Sequence, residues 1–445
     1  MLRRSLRRRL PIATAMPAAS AAKSFGPGDV PDTYLKAAPH PEWQQAMTSE
    51  FSSLVENNTW EYADISELNR RKAIGCRWVY KTKNNHDGSV PYKACLVIKG
   101  YKQSLVGETF APVVRLTSFC ALIALCARFD WPLHHMDVVT AFLNPAVEGE
   151  IFRQLPDGLD WLQPNCAANK QNLVLKLQKA LYGLKEAPCL WYKDIDSFLK
   201  STSIGFVPSM ADANLYISPK VILLLYVDDI LITAANSEEI DRIKNLLHDK
   251  YKMTDTGLAR QFLGIDISQS NSGIRIHQRR FIYSVLRRFG MEGCNGAWVP
   301  LEARPSIQFD PLPATDQRTY QSLVGSIMYI MLGTRPDLAY SISALSKFSA
   351  SAGFEHLQQA KRVLRYLQQT RTVGLSFTQN DDKERFGYSD SDWAGDVGDH
   401  KSTGGFVFLL SSAPICWKAK KQTIVALSMT DAKYIAARLS GCAVS

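Results

Sequence analysis

Apolar residues along this chain switch between two spacings, and each switch marks a new element. Trp43, Met47, Phe51, Leu54 and Val55 share one face of a 3.6-residue helix, so ordered structure is expected from about residue 40. Residues 77–83 and 90–99 alternate and are β-rich, and Asp87-Gly88 between them signals a hairpin turn. Residues 118–129 are apolar enough for a buried helix, followed by a short strand at 133–138 and a segment at 140–144. Apolar runs at 221–226 and 230–234 are separated only by Val227-Asp228-Asp229, which puts two acids at the tip of a hydrophobic hairpin.

Helical spacing returns at Ile240, Ile243, Leu246 and Leu247, and again at Phe281, Ile282, Val285, Leu286 and Phe289, closed by Gly290. Residues 300–319 are polar and Pro-rich, as a linker is. Residues 320–370 are strongly helical, with Lys361, Arg362 and Arg365 on a polar face. Strand-like alternation at 386–390, 405–410 and 413–418 then opens a new sheet, leading into a helix at 430–439. There is no internal repeat and no low-complexity tract.

With 445 residues, 46% of them hydrophobic, several subdomains are expected rather than one. Lys and Arg outnumber Asp and Glu by 52 to 42, a formal charge of +10 that suits a polyanionic partner such as nucleic acid. The nine cysteines form no C-x-x-C pair and no zinc-spaced cluster, so a reducing, intracellular setting is expected, cytoplasmic or nuclear. No apolar run approaches the roughly 20 residues that span a bilayer, so no membrane partner is expected. Arg3, Arg4, Arg7, Arg8 and Arg9 precede an Ala/Ser-rich stretch with no acid before Asp29. That composition resembles a mitochondrial presequence, but a disordered basic tail, or a start codon placed upstream of a fragment, is the favoured expectation.

Two adjacent acids between fully apolar strands carry an electrostatic cost that a divalent cation offsets. Asp228 and Asp229 are such a pair, and the turn they occupy lacks the Gly, Asn or Pro of an ordinary exposed turn. Asp137, at the end of the 133–138 strand, is a third candidate. An acid at one strand end and two on a neighbouring hairpin suit a pair of Mg²⁺ ions about 4 Å apart, as in-line phosphoryl transfer requires.

Tyr226-Val227-Asp228-Asp229 resembles the catalytic motif of reverse transcriptases, and its surroundings resemble the copia-type branch found in long-terminal-repeat retrotransposon polyproteins. The similar blocks run in order: residues 77–81, 92–100, Met136-Asp137-Val138 with 141–144, 181–188 with Trp191-Tyr192, Phe262-Leu263-Gly264, 287–291, 322–326, 334–337 and 387–395. The resemblance implies an α+β fold: a right-hand polymerase of fingers, palm and thumb with an antiparallel palm sheet. A connecting helical region and a partial RNase H-like α/β domain would follow. It implies a disordered basic segment at 1–29, fingers and palm at 30–270, thumb and connection at 271–378, and a truncated RNase H-like domain at 379–445.

The same resemblance implies an RNA-directed DNA polymerase acting on an RNA template, a DNA primer, RNA–DNA hybrid and dNTPs with Mg²⁺ or Mn²⁺. Asp137, Asp228 and Asp229 would be its catalytic metal ligands. Phe142 would crowd the 2′ position of an incoming nucleotide, or else be a core residue. Tyr182 and Gly183 would lie at the nucleotide or template, Gly183 admitting close backbone approach because it has no Cβ. Lys81, Lys83 and Lys93 would contact phosphates as mobile point charges.

Several positions depart from the family pattern. Cys95 stands where Arg is usual, Glu186 where Gln is usual, Cys189 where Arg is usual and Thr254 where Lys is usual, and the stretch between Lys102 and Glu108 is several residues short. In the RNase H region Asp390 matches the first catalytic acid, with Asp392 the alternative, but the usual Thr-Glu-Ala-Glu reads Thr430-Asp431-Ala432-Lys433. A lysine there repels metals, so RNase H activity is expected to be absent. The competing expectation is a catalytically silent relic that at most binds nucleic acid.

Overall fold

The structure is a computed structural model describing residues 30–69, 71–82, 91–103, 107–163, 171–302, 310–379 and 385–441. The basic segment 1–29, Lys83 and the Asp87-Gly88 turn lie outside the described residues. The chain divides into two compact units that do not follow chain order: Met1–Pro112 with Thr140–Phe198, and Val113–Val139 with Leu199–Ser445. No helix among the described residues is long and apolar enough to cross a membrane.

In the first unit, helix Pro41–Glu56 buries Trp43, Met47, Phe51 and Leu54, while Val55 is turned to solvent. Its partner is the antiparallel pair Cys76–Thr82 and Tyr92–Ile98, whose period of two sends Trp78, Tyr80, Ala94, Leu96 and Ile98 into one core. The Tyr80 hydroxyl meets Met47 Sδ at 3.3 Å, and the Leu96 amide donates to Glu50 Oε1 at 3.2 Å. A three-stranded sheet in the order Trp60–Asp64, Leu173–Leu177, Phe152–Arg153 completes the described strands of this unit.

The second unit is built on a six-stranded antiparallel sheet. Its order is Met253–Leu258, Leu133–Val138, Asp229–Ala234, Val221–Tyr226, Leu215–Ile217, Val207–Pro208. Residues Ile230 to Ala234 are buried without exception, because helices cover both faces of the central strands. Helix Leu116–Phe129 packs on the face of Leu133, Leu224 and Leu231, and helix Ser237–Lys250 packs its Ile240, Ile243 and Leu247 on the other.

A second antiparallel sheet follows, in the order Gln261–Phe262, Ile265–Ser270, Gly273–His277, Leu375–Thr378, and shares its core with helix Leu116–Phe129. None of these four strands was expected from spacing. Helix Arg279–Arg288 ends as Gly290 predicts: φ is +65° there, and the Met291 amide reaches back to the Leu286 carbonyl at 2.8 Å. The expected linker at 300–319 is shorter than its composition suggests. Helix Ala314–Thr334 begins directly after Pro313, with Asp316 in its first turn, where an acid favours helix initiation. It bundles with Ala339–Ser346 and Phe354–Gln369 around Tyr320, Ile327, Ile342 and Leu364.

The last sheet, Phe386–Ser391, Thr403–Leu410, Ala413–Lys421, carries helix Met429–Gly441. It is anchored within the same unit: Trp417 Nε1 donates to the Met331 carbonyl at 3.1 Å, and Ser411 Oγ to the Ala124 carbonyl at 3.1 Å. The α+β class and antiparallel sheets agree with expectation.

Candidate active site

Strand register sets two of the three candidate acids opposite each other and leaves Asp228 at the neighbouring hairpin tip. Asp229 lies directly opposite Asp137, and Met136 opposite Ile230. Opposed residues of antiparallel strands hold their Cβ atoms about 5 Å apart on the same face. Tyr226 pairs with Asp229, so the hairpin loop is only Val227 and Asp228. The tip is tied to the Asp137 strand by a hydrogen bond from the Val138 amide to the Asp228 carbonyl, 2.9 Å. Val227 is held at φ +54°, a conformation that a β-branched side chain disfavours. Asp228 is exposed, while Asp137 and Asp229 are half-buried.

The neighbours of these acids include two that sequence reading missed. His135 Nε2 lies 2.9 Å from Asp229 Oδ1, and its Nδ1 lies 3.1 Å from Thr256 Oγ1, which also donates to the His135 carbonyl at 2.8 Å. Period two was the available signal: His135 sits two residues before Asp137 and therefore on the same strand face. Phe262 supports that face, edge-on to His135 at 6.3 Å and to Tyr226 at 6.4 Å. Thr254, one of the departures from the family pattern, pairs with Asp137 on its other side.

All-oxygen donors on opposed strands have the chemistry a hard divalent cation prefers. Like charges set directly opposite destabilise a sheet unless something offsets them, and a cation does so. Among the described residues no three His, Cys, Asp or Glu side chains are already gathered tightly enough to hold a metal ion. The Asp229 carboxylate is turned instead to His135.

The candidate nucleotide and template residues belong to the first unit. Phe142 is half-buried and packs edge-on against Tyr182 with ring centres 5.4 Å apart. Gly183 has φ +92°, and a Cβ there would fall 2.2 Å from the Ile98 carbonyl oxygen. The missing side chain therefore has a reason inside the protein: the Tyr182 carbonyl accepts from the Ile98 amide at 2.8 Å, pressing this turn onto the end of the Tyr92–Ile98 strand. Lys81 and Lys93 are register partners on the outer, exposed face of the hairpin, with Cys95 on the same face. Glu186 is buried with its Oε1 accepting no hydrogen bond, and burial pushes its carboxyl pKa up. Cys189 is buried as well.

The candidate acids of the last sheet are placed differently. Asp390 is exposed and lies 3.5 Å from Lys433 Nζ. Asp392 accepts from the Thr403 amide, and Asp431 accepts from the Leu427 amide at 3.3 Å, at the start of its own helix.

Residues 57–303 match the family described as reverse transcriptase (RNA-dependent DNA polymerase). The chain is 35% identical to the retrovirus-related Pol polyprotein from transposon RE1 of Arabidopsis thaliana, over 94% of this chain and 28% of that protein. It is 36% identical to the Pol polyprotein from transposon TNT 1-94 of Nicotiana tabacum, over 92% of this chain and 32% of that one. It thus spans about a third or less of these relatives. Among solved structures, a foamy viral protease-reverse transcriptase in complex with double-stranded DNA aligns with a TM-score of 0.47 at 11% identity, covering 96% of this chain and 64% of that one. The match across residues 57–303 takes in both acid-bearing strands, and with it the chain belongs to the reverse transcriptase family, as the reverse transcriptase region of a copia-type retrotransposon Pol polyprotein.

Proposed function

We propose that this chain is an RNA-directed DNA polymerase that extends a DNA primer on an RNA template. The observation that carries this reading is the register pairing of Asp229 with Asp137, with Asp228 at the hairpin tip tied to Val138. Two Mg²⁺ or Mn²⁺ ions held by Asp137, Asp228 and Asp229 would activate the primer 3′-OH and neutralise the leaving pyrophosphate. The primer 3′ oxygen bonds to the α-phosphorus of a dNTP as the bond to pyrophosphate breaks. Phe142, braced by Tyr182, crowds the 2′ position of the incoming sugar. Lys81 and Lys93, like charges set opposite each other, are stabilised by a phosphate of the substrate or template.

RNase H activity is absent in this reading. Lys433 Nζ lies 3.5 Å from Asp390, and a cation beside a metal site opposes ion binding, weakened here by solvent screening because both side chains are exposed. A second reading, a catalytically silent relic that binds nucleic acid, draws on the buried Glu186 carboxyl and on Cys95 beside the outer-face lysines. Primer extension on poly(rA)/oligo(dT) with Mg²⁺ separates the two. Metal-dependent extension lost in Asp228→Asn supports the polymerase, whereas hybrid binding without extension establishes the relic.

A further inference from the structure

Behind Asp229 runs a chain of contacts that begins at the edge of the six-stranded sheet. The edge strand Met253–Leu258 follows its neighbour regularly as far as Asp255, opposite Met136, and resumes with Gly257 opposite His135. Thr256 is therefore an extra residue, a β-bulge of the kind that re-aims side chains beside functional sites. Gly257 makes the bulge possible. Its φ is +71°, and a Cβ there would meet nothing within 4 Å, so conformation rather than space calls for glycine. Helix Ser237–Lys250 pins the bulge from outside: its buried Lys244 reaches the two Asp255 oxygens at 2.9 and 3.1 Å, and Asp255 Oδ1 also accepts from the Gly257 amide at 2.8 Å.

What the bulge delivers is a hydroxyl. Thr256 Oγ1 lies 2.8 Å from the His135 carbonyl and 3.1 Å from His135 Nδ1, so one side chain holds both the backbone and the ring of the histidine. Across the ring, Nε2 is 2.9 Å from Asp229 Oδ1. A carboxylate only accepts, so the hydrogen of that bond sits on Nε2. The buried Phe262 meets the ring edge-on, and the histidine side chain is 16% exposed. Braced in this way, the imidazole has little rotamer freedom to lose when it holds Asp229.

We infer that His135, set by the bulged Thr256, is a positioning residue that fixes the Asp229 carboxylate for a divalent cation. The inference rests on the reverse transcriptase reading, which supplies the cation-dependent reaction. Directly opposed acids repel, and a carboxylate that nothing holds rotates about its own bonds, so such a pair is poorly oriented for a cation unless something fixes it. A donor on Oδ1 removes that freedom from Asp229, offsets part of its charge and keeps the other oxygen for the cation, as outer-shell partners do for ligating carboxylates.

The test measures Mn²⁺ binding to the full chain, from the fall in the electron spin resonance signal of the free ion, beside primer extension titrated with Mg²⁺. The site counted is the one lost in Asp229→Asn. His135→Leu should weaken Mn²⁺ binding there, and raise the Mg²⁺ needed for half-maximal extension, by at least about tenfold, while the rate at saturating Mg²⁺ falls by less than about threefold. His135→Gln, whose amide N–H reaches the place of the Nε2 hydrogen, should recover both quantities to within about threefold. Thr256→Val, an isosteric change at an exposed edge residue, should cost about fivefold in the same direction. The double variant should be no worse than His135→Leu alone, because Thr256 acts through the ring. Unchanged metal affinity in His135→Leu overturns the inference, and so does a His135→Gln variant as impaired as His135→Leu, the mark of a histidine that only packs. Additive losses from Thr256 and His135 overturn it as well. If Asp229→Asn removes no Mn²⁺, there is no cation for His135 to serve and the inference fails. A wild-type chain that binds Mn²⁺ at Asp229 but extends no primer refutes the polymerase reading, and the Mn²⁺ series still decides the role of His135.

Discussion

Two sheets of the same unit each carry acids near strand ends, and they treat them in opposite ways. The Asp229–Ala234 strand is buried along its whole apolar length, and Asp229 is 29% exposed beside a histidine. The Phe386–Ser391 strand is open to solvent, and its Asp390 is 78% exposed beside a lysine. Burial matters because it locks register: a strand apolar on both faces cannot slip without exposing its core, so Asp229 stays opposite Asp137. In the second sheet, Lys433 lies beside Asp390 at the surface, while Asp392 and Asp431 are engaged by backbone amides. An acid at a strand end becomes a candidate ligand only where neighbouring strands fix it and no cation has already claimed it.

The largest expected effect breaks this comparison at the acids themselves. Asp228→Asn should lower primer extension by on the order of 10³-fold, about 4 kcal/mol of transition-state stabilisation, while leaving hybrid binding within about twofold. Lys433→Glu, which restores an acid to the second sheet, should still give no RNA cleavage from a labelled hybrid, because Asp392 and Asp431 remain committed to Thr403 and Leu427. Metal-dependent cleavage in that variant, lost again on adding Asp390→Asn, would mean that one lysine was the whole difference between the sheets.

Next comes the packing beneath the acids. Leu231→Ala removes a fully buried side chain from the central strand and should cost about 2–5 kcal/mol. Tyr388→Ala, in the outer sheet at 66% exposure, should cost less than about 0.5 kcal/mol. Urea midpoints read alongside hydrogen exchange distinguish global from local loss, and equal costs would mean that the outer sheet is as well locked as the inner one.

A smaller effect is stored at the hairpin tip. Relieving the φ of +54° by Val227→Gly should stabilise the fold by roughly 1 kcal/mol or leave it unchanged, while extension falls severalfold as Asp228 loses its fixed position. Unchanged extension at raised stability would show that the strain has no part in placing the acid.

Much of this contrast is legible in the amino-acid sequence itself. Helix faces such as Trp43, Met47, Phe51 and Leu54, the acid-tipped hairpin and the lysine at 433 follow from spacing and residue type. What escapes such reading does so for physical reasons. Met253–Leu258 contains Thr-Asp-Thr-Gly and forms the edge of its sheet, exposed at Thr254, Asp255 and Thr256, so it lacks the alternation that marks a strand. That Asp137 neighbours the hairpin acids is expected from the motif series, but the register that sets it opposite Asp229 joins residues far apart in sequence, and no local pattern encodes it. The sheet from Gln261 to His277 gives little signal because its first strand is only two residues long.

The smallest effect sharpens the comparison from the side of the lysines. Asp396, near the outer sheet, lies 2.7 Å from Lys421 Nζ and 2.9 Å from Lys347 Nζ, and its side chain is 14% exposed. Burial alone would raise its pKa, but Lys421 and Lys347 outweigh burial and hold the carboxyl well below the usual carboxylate range. A folded-state pKa below the unfolded value means that the unfolded chain binds the proton more tightly, so the stabilisation is full above the unfolded pKa of about 3.9 and fades as pH falls below it. Asp396→Asn should therefore lower stability by about 1 kcal/mol at pH 7, as expected for a partly exposed pair, and the gap between variant and parent should narrow as pH falls from about 4 to about 2. Urea midpoints taken across that range test it. A gap that stays constant with pH would show that the lysines pack around Asp396 without exploiting its charge, and that the outer sheet is held by shape, as the inner one is.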